Sequence, residues 1–183
     1  PINFMAYPGE SPVVDGQGAV DYTIKISGAR HVTVRGFTVQ GGHAERHAGG
    51  GFMVEGSSHI VVRGNVVRDN HSFGVRSYNS DHVLIDDNEI TGNAVGVTIG
   101  RGNEGTIVSN NLIHDNNQMM VNTADVRGDD AGAEGVTLVR STGRVVVRDN
   151  YIWGNRARSH DYDWDGGAFS IHAASNWTIT NNV

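Results

Sequence analysis

The chain contains no cysteine and only three prolines in 183 residues. The lack of cysteine excludes disulfide bonds and thiolate metal sites. Few prolines leave the backbone N–H groups available for β-ladders, and the 25 glycines suit tight turns between short strands. No apolar run reaches the roughly twenty residues of a membrane-spanning helix. Composition thus favours a turn-rich β-structure and no membrane partner.

Positive charge is also scarce, because Lys25 is the only lysine and the formal net charge is −6. Nucleic-acid binding requires a basic stripe, and no block of like charge occurs, so nucleic acid is not expected as a partner. Thirteen arginines remain, and some of them could hold an acidic polymer locally.

What the chain does contain is one twelve-residue phrase in six copies, the last one truncated. The copies are HVTVRGFTVQGG (31–42), HIVVRGNVVRDN (59–70), HVLIDDNEITGN (82–93), GTIVSNNLIHDN (105–116), RVVVRDNYIWGN (144–155) and NWTITNNV (176–183). Recurrence at 23 to 39 residues, with apolar alternation and repeated asparagine, indicates a solenoid in which each coil is one repeat.

Each repeat predicts three short strands. The second and fourth positions, such as Ile60 and Val62, are apolar and should face the core, and the ninth position starts the same pattern in a second strand. A third strand lies between phrases, as in GVTIG (96–100). We therefore predict an all-β fold, a right-handed parallel β-helix of about six coils, forming one domain over 1–183. Leucine-rich repeats and propellers are disfavoured because their Leu and Trp-Asp signatures are missing.

Asparagine recurs at two corners of the repeat. At the seventh position, as in Asn65 and Asn88, it can tolerate a left-handed backbone and bond to its equivalents in neighbouring coils. At the twelfth position, as in Asn70 and Asn93, it predicts a second column of the same kind.

Both ends of the sequence interrupt this pattern, since it opens in mid-pattern at Pro1 and stops within the sixth phrase at Val183. We expect a fragment or processed piece of a longer solenoid, truncated at both ends. Open coil edges can pair with other copies, which makes end-to-end self-association an alternative role.

The opening PINFMAYPGESPVVDG (1–16), followed by asparagine-cornered coils, resembles the pectate-lyase-like superfamily of secreted polysaccharide lyases, hydrolases and epimerases. The stretch at 155–183 is similar to bacterial right-handed β-helix repeat proteins, usually considered carbohydrate-active. The resemblance implies a secreted or cell-surface protein that acts on a polysaccharide or oligosaccharide. The Gly-His-Gly and Arg-Ile-Lys motifs of polygalacturonases are missing, which argues against pectin hydrolysis. The alternative is a non-catalytic module for binding, adhesion or self-assembly.

Two insertions lengthen the fourth and fifth coils, at 117–134 and 156–166. Both precede a third strand, so they should project from neighbouring coils at the same edge, where binding sites commonly lie. Their acids, with Asp130, Asp163 and Asp165 foremost, are candidates for general acid–base catalysis of glycoside hydrolysis. His160 is a further candidate base, because the neighbouring Asp161 can orient and tune its imidazole.

Elimination is the other chemistry considered, because it requires a base and a group that neutralises the substrate carboxylate. The resemblance implies Lys or Arg for the proton transfer, often with calcium as the neutralising group. Lys25 and Arg76 should both face outward on third strands, two coils and therefore about 10 Å apart. Arg76 is the stronger catalytic candidate, and Lys25 is kept as a substrate-binding one. Alternatively, Lys25 and Arg76 are ordinary solvent-facing residues of their strands without a functional role.

Calcium is the only cofactor suggested. Asp161, Asp163 and Asp165 alternate before Gly166, as oxygen ligands do in a calcium loop. The chain has His172 where an EF-hand would require Glu, so a calcium site here would have another geometry, with Asp129 or Asp130 as possible additional ligands. Alternatively these acids pair with Arg156 and Arg158 or bond to turn amides. A column of turn histidines at 31, 59 and 82 is interpreted as a repeated turn residue rather than a metal site.

Three aromatic residues near the second insertion could stack on sugar rings. They are Tyr162, Trp164 and Phe169, with Arg158 as a polar contact to substrate. Phe169 should point outward if Ala168 and Ser170 point inward. The alternative for Trp164 is that it packs the insertion against the solenoid.

Overall fold

The computed structural model describes residues 1–44 and 49–183, and their regular elements are all β-strands. Three parallel sheets run the length of the chain, and two hairpins project from it. The first sheet contains β1 (Ile2–Met5), β4 (Arg30–Arg35), β7 (Ser58–Arg63), β10 (Leu84–Asp86), β13 (Thr106–Ser109), β18 (Val145–Arg148) and β23 (Trp177–Thr180). The second contains β2 (Val13–Val20), β5 (Thr38–Gly42), β8 (Val66–Arg68), β11 (Glu89–Thr91), β14 (Leu112–His114) and β19 (Tyr151–Trp153). The third contains β3 (Tyr22–Ser27), β6 (Gly50–Glu55), β9 (Phe73–Tyr78), β12 (Val95–Ile99), β17 (Glu134–Val139) and β22 (Gly167–His172).

Each turn of the chain contributes one strand to each sheet, and successive turns pair in parallel. This arrangement is a parallel β-helix and confirms the predicted fold. The hairpins are β15 (Met119–Val121) with β16 (Ala131–Gly132), and β20 (Ala157–Ser159) with β21 (Asp163–Asp165). In the described residues, no helix is long and apolar enough to cross a membrane.

The core is a set of apolar columns, one residue per coil. Val34, Val62, Ile85, Val108 and Val147 lie in register through the first sheet and are buried. These are fourth-position residues of the phrase, so the predicted inward column is confirmed. Burying one such side chain contributes about 1.5–3 kcal/mol, and repetition over the coils makes this the main stabilising term.

The seventh-position asparagines form a buried ladder along one corner. In each step, the side-chain oxygen of one Asn accepts bonds from the backbone N–H and the amide of the Asn one coil before it, as Asn88 does from Asn65 at 3.0 and 3.1 Å. The predicted bonding between coils is confirmed. The left-handed backbone lies at the residues that precede these asparagines, for example Asp87 with φ 56° and Asn110 with φ 55°. That residue turns the chain at the corner, so the asparagine that follows directs its side chain into the stack.

The twelfth-position asparagines repeat this geometry at the next corner. Asn70, Asn93 and Asn116 are fully buried, and each accepts bonds from the equivalent backbone N–H one coil earlier, beginning with Gly42. The predicted second column is confirmed, and both ladders keep the coils in register.

On the third sheet, register decides which residues face outward. Arg76, Thr98, Thr137 and Ser170 follow one another in a single outward column. Phe169 pairs with Val136, which is fully buried, and packs against the core, whereas Ala168 is exposed. The prediction that Phe169 faces outward to bind sugar is therefore wrong. The direction of the Phe169 side chain is fixed by pairing with the preceding coil. Alternation counted within β22 alone does not determine it.

Candidate functional site

A groove of about 630 Å³ lies on the outer face of the third sheet, where the first hairpin rises beside β12 and β17. Met120 and Ala131 of that hairpin line one part of it. The polar lining comes from four successive coils and consists of Arg76, Tyr78, Thr98, Arg101, Glu134, Thr137, Arg140 and His172. We call this surface the groove. Three steps between coils separate β9 from β22, so the groove follows the solenoid axis for about 14 Å.

Arg76 lies at one end of the groove, on β9, and is held by aromatic contacts. Its guanidinium lies 4.8 Å from the ring centre of Phe73 and 5.7 Å from that of Tyr78, and Nη1 donates to the Tyr22 hydroxyl at 3.4 Å. Such cation–π contacts contribute roughly 0.5–2 kcal/mol and limit the freedom of the side chain. The predicted outward direction of Arg76 is confirmed, and its catalytic role stays a prediction.

Glu134 is the only carboxylate in the lining of the groove among the described residues. It is the first residue of β17 and directly follows the first hairpin. The Thr137 hydroxyl donates to its Oε2 at 2.5 Å, which fixes the carboxylate against the sheet. Sequence reasoning counted Glu134 among the acids of the insertion but did not select it. The sequence signal that could have selected Glu134 is its position where the first insertion joins the third strand GVTLV (135–139).

Thr98 lies between Arg76 and Thr137 in the outward column and lines the groove. It is 4% exposed, and its hydroxyl has no hydrogen-bond partner among the described residues. A buried hydroxyl without a partner costs about 1–3 kcal/mol, so this group is suited to bonding with a ligand in the groove.

The charge of the groove differs in sign from that of the whole chain. Three guanidinium groups, of Arg76, Arg101 and Arg140, face it with one carboxylate, whereas the chain carries a formal net charge of −6. The groove lining therefore carries an excess of positive side chains, which favours an anionic ligand. Arg101, Arg140 and His172 were not selected from the sequence. Arg101 and Arg140 follow the third strands GVTIG (96–100) and GVTLV (135–139) at the same repeat position, so their recurrence in adjacent coils was the available signal. His172 pairs with Val139 and has no histidine equivalent in the coil before it.

The two insertions form adjacent hairpins at the same edge, as predicted. One carboxylate oxygen of Asp161 accepts bonds from the backbone N–H groups of Gly128, Asp129 and Asp130, at 2.7, 3.1 and 3.2 Å. In return, Asp130 accepts bonds from Ser159 at 2.6 Å and from the Asp161 N–H at 2.9 Å. We call this reciprocal arrangement the aspartate clasp.

The clasp also affects the acidity of Asp130. Burial acts to raise its pKa, but the bonds from Ser159 and from the backbone N–H groups of Asp161, Thr123 and His160 together outweigh burial and leave the pKa below its usual value. Asp130 is therefore ionised and committed to holding the hairpins, which makes it a structural residue more than the general acid that the sequence suggested.

The predicted calcium ligands are not brought together. In the described residues, the carboxylates whose oxygens lie within 4.8 Å of one another are Asp129, Asp130 and Asp161, without Asp163 or Asp165. The clasp occupies both oxygens of Asp130 and one of Asp161, whereas one oxygen of Asp129 is buried without a partner. Calcium prefers six to eight oxygens, so this cluster fits a clasp better than a calcium site. Calcium binding by the protein stays a prediction.

The remaining candidates of the second insertion lie outside the groove lining. Asp163 forms an ion pair with Arg158, and Asp165 bonds to the N–H of Gly166. His160 is exposed, and its backbone N–H donates to Asn122. Asp163, Asp165 and His160 are therefore not assembled with each other or with the groove as an acid–base site.

Two of the predicted sugar-binding residues are exposed on the second hairpin. The ring of Trp164 is 46% exposed and has the Arg158 guanidinium 4.1 Å from its centre, with Arg156 at 5.0 Å. Tyr162 is also exposed. Both arginines belong to the same insertion as Trp164, so these contacts do not show the alternative in which Trp164 packs the insertion against the solenoid. The sugar-platform role of both aromatics stays a prediction.

Lys25 lies in the same outward column as Arg76, two coils away, as predicted. Its ammonium pairs with Glu55 at 3.2 Å, and Lys25 is not part of the groove lining. A substrate-binding role for Lys25 would therefore require a ligand longer than the groove.

The sequence of the chain matches the family described as the right handed beta helix region over residues 17–183, and the protein belongs to that family. No curated protein and no solved structure matches it. The family, together with the three parallel sheets, establishes a right-handed parallel β-helix.

Proposed function

We propose that the protein binds an acidic polysaccharide in the groove and modifies it by abstracting a proton next to a carboxylate, as a lyase or epimerase does. The observation that carries this proposal is the composition of the groove lining, in which three arginines, Arg76, Arg101 and Arg140, occur with one carboxylate among the described residues, that of Glu134. A secreted or cell-surface location is part of the same proposal, because proteins of the superfamily that the sequence resembles encounter such polymers there.

Anionic sugars fit the groove because guanidinium groups bind carboxylates in a planar, two-bond geometry. The spacing of the coils, about 4.8 Å, repeats the arginine and hydroxyl donors along the axis, which suits an extended polymer more than a compact ligand. Thr98 and Thr137 add hydroxyls between the arginines.

The side chains that line the groove fit an elimination reaction better than glycoside hydrolysis. Glycoside hydrolysis by the usual route requires two carboxyl groups on either side of the bond, and Glu134 is alone in the groove lining of the described residues. Proton abstraction next to a carboxylate requires one base and a positive charge that stabilises the carbanion-like transition state. Glu134 supplies the base, held by Thr137, and Arg76 neutralises the sugar carboxylate.

The test is a panel of acidic and neutral polysaccharides, with binding and products measured separately. Glu134→Gln should keep binding and lose turnover by at least about 100-fold, because general-base catalysis contributes that much or more. Arg76→Ala should weaken binding of acidic polymers only. Arg35→Ala is the matched control, an exposed arginine on β4 of the first sheet, outside the groove lining.

The products distinguish the alternatives. Ultraviolet absorbance from an unsaturated uronate indicates elimination, and new reducing ends without it indicate hydrolysis, which would overturn the proposed chemistry. Binding without any product would make the protein a glycan-binding module, and failure to bind every acidic polymer would overturn the proposal.

End-to-end association is the second candidate role. Ile2 and Phe4 lie in register with the buried Val32 and Val34, so the apolar column that stacks the coils is the surface through which copies would associate. Sedimentation over a range of concentrations tests this role, since stacking gives a series of larger species and a monomeric β-helix gives one.

A further inference from the structure

Ser170 and His172 form a hydroxyl–imidazole pair at the end of the groove. They lie two residues apart on β22, in register with Thr137 and Val139, and His172 lines the groove. The Ser170 hydroxyl oxygen and His172 Nε2 are 2.7 Å apart. This is the separation at which an imidazole can accept the proton of a serine nucleophile.

We propose that Ser170 and His172 are the nucleophile and the base of an ester-hydrolysing site, which removes O-acyl groups from the sugar bound in the groove. The ester chemistry follows from the pair itself, whereas the choice of sugar rests on the proposed function. With Nε2 of His172 accepting from Ser170, the other ring nitrogen carries the proton.

The reaction balances without a cofactor. The serine oxygen attacks the ester carbonyl while His172 takes the hydroxyl proton, and the tetrahedral intermediate then expels the sugar alkoxide, which receives that proton. An acyl-serine remains. Water attacks it with His172 again as base, and this step releases the carboxylic acid and restores the serine.

Arg140 is placed to support the transition state. Its backbone N–H donates to the carbonyl of His172 at 2.8 Å, and its side chain lines the same part of the groove. A fixed positive charge beside the reacting carbonyl stabilises the negative oxygen that forms there.

The arginines also indicate where the ester lies on the sugar. Esterifying the sugar carboxylate would remove the negative charge that Arg101 and Arg140 are suited to bind. Acyl groups on sugar hydroxyls leave that charge intact, so the site fits an O-acylated acidic glycan.

Turnover should be slow, because in the described residues no carboxylate is hydrogen-bonded to His172, and triads that lose their carboxylate lose several orders of magnitude in rate. Slow deacylation favours accumulation of the acyl-serine. Covalent labelling is therefore a sensitive readout, and an ordinary intrastrand hydrogen bond would not produce it.

The experiment treats the whole chain with a fluorophosphonate probe and locates the modified serine by mass spectrometry. Hydrolysis of p-nitrophenyl acetate and release of acetate from an O-acetylated acidic polysaccharide are measured in parallel. The variants are Ser170→Ala and His172→Gln, where glutamine can still hydrogen-bond to the serine but cannot take its proton. Ser27→Ala is the control, an exposed serine on the same face of the third sheet.

We expect labelling at Ser170 that is lost in His172→Gln, and acetate release that falls at least about 100-fold in both variants and is unchanged in Ser27→Ala. Labelling of Ser170 no greater than that of Ser27, or acetate release that survives Ser170→Ala, overturns the proposal. If Ser170 is labelled and hydrolyses the small ester while no acidic glycan binds, the ester site stands and the proposed function fails.

Discussion

The Asn88→Ala substitution tests the physical basis of the fold, because Asn88 has an asparagine on either side of it in the seventh-position ladder. Its side-chain oxygen accepts from the N–H and the amide of Asn65, at 3.0 and 3.1 Å. Its amide donates to Asn111 at 2.9 Å and to the carbonyls of Val62 and Asp86 at 2.9 and 3.0 Å. Alanine removes all of these contacts and leaves the Asn65 N–H buried without a partner.

The expected cost follows from that inventory. The amide has two hydrogens for three acceptors, so the substitution removes about four effective hydrogen bonds at roughly 1 kcal/mol each. We expect the free energy of unfolding to fall by about 3–5 kcal/mol, a large fraction of the usual 5–15 kcal/mol for a domain. Because coils interact mainly with their neighbours, the loss should appear first in the coils of Asn65 and Asn111.

Urea unfolding followed by circular dichroism measures the change, and hydrogen exchange locates it. Asn3→Ala is the control, since Asn3 is exposed on the outermost strand and should change stability by no more than about 0.5 kcal/mol. A loss below about 1 kcal/mol in Asn88→Ala, or protection that falls evenly over all coils, would mean that the ladder is not what holds the coils together.

Three further outcomes are expected. Val62→Asp places a charge in the fully buried column of the first sheet and should abolish folding of the adjacent coils, seen as a loss of far-ultraviolet β-signal. Asp161→Asn keeps the shape of the clasp but weakens its three bonds from N–H groups, so protease should cut the hairpins faster; a calcium-dependent rise in melting temperature that is lost in this variant would place an ion at the clasp. Burial, and then the charge of His43, lower the pKa of His71, so the unfolded state binds protons more readily; stability should fall as pH drops below the usual value of 6.5, and His71→Gln should reduce that fall.

Repeat positions were predictable because the same physical requirement recurs in every coil. The inward columns through Val62 and Ile85, and the ladders through Asn65 and Asn70, follow from alternation and from asparagine at fixed spacing. The edge shared by the two insertions followed as well, since both precede equivalent strands.

The exceptions were single residues that the repeat does not constrain. Phe169 was predicted on the wrong side, because its direction depends on pairing with Val136 in the coil before it. The carboxylate of Asp161 binds the backbone of the other insertion, and no sequence pattern records a contact between two loops of different coils. Calcium binding by Asp161 stays a prediction.

The amino-acid sequence by itself therefore determined the β-helix, its core columns and its asparagine corners, since these depend on local periodicity and stacking of like on like. Only the tertiary structure decided where the groove lies. Arg76, Glu134 and His172 belong to three different coils and occupy different repeat positions. They line one groove because parallel pairing aligns their strands beside the first hairpin. Periodicity in the sequence predicts which face of a strand a side chain occupies. Which of these side chains can contact the same ligand depends on the pairing register between coils and on how far the neighbouring hairpin projects.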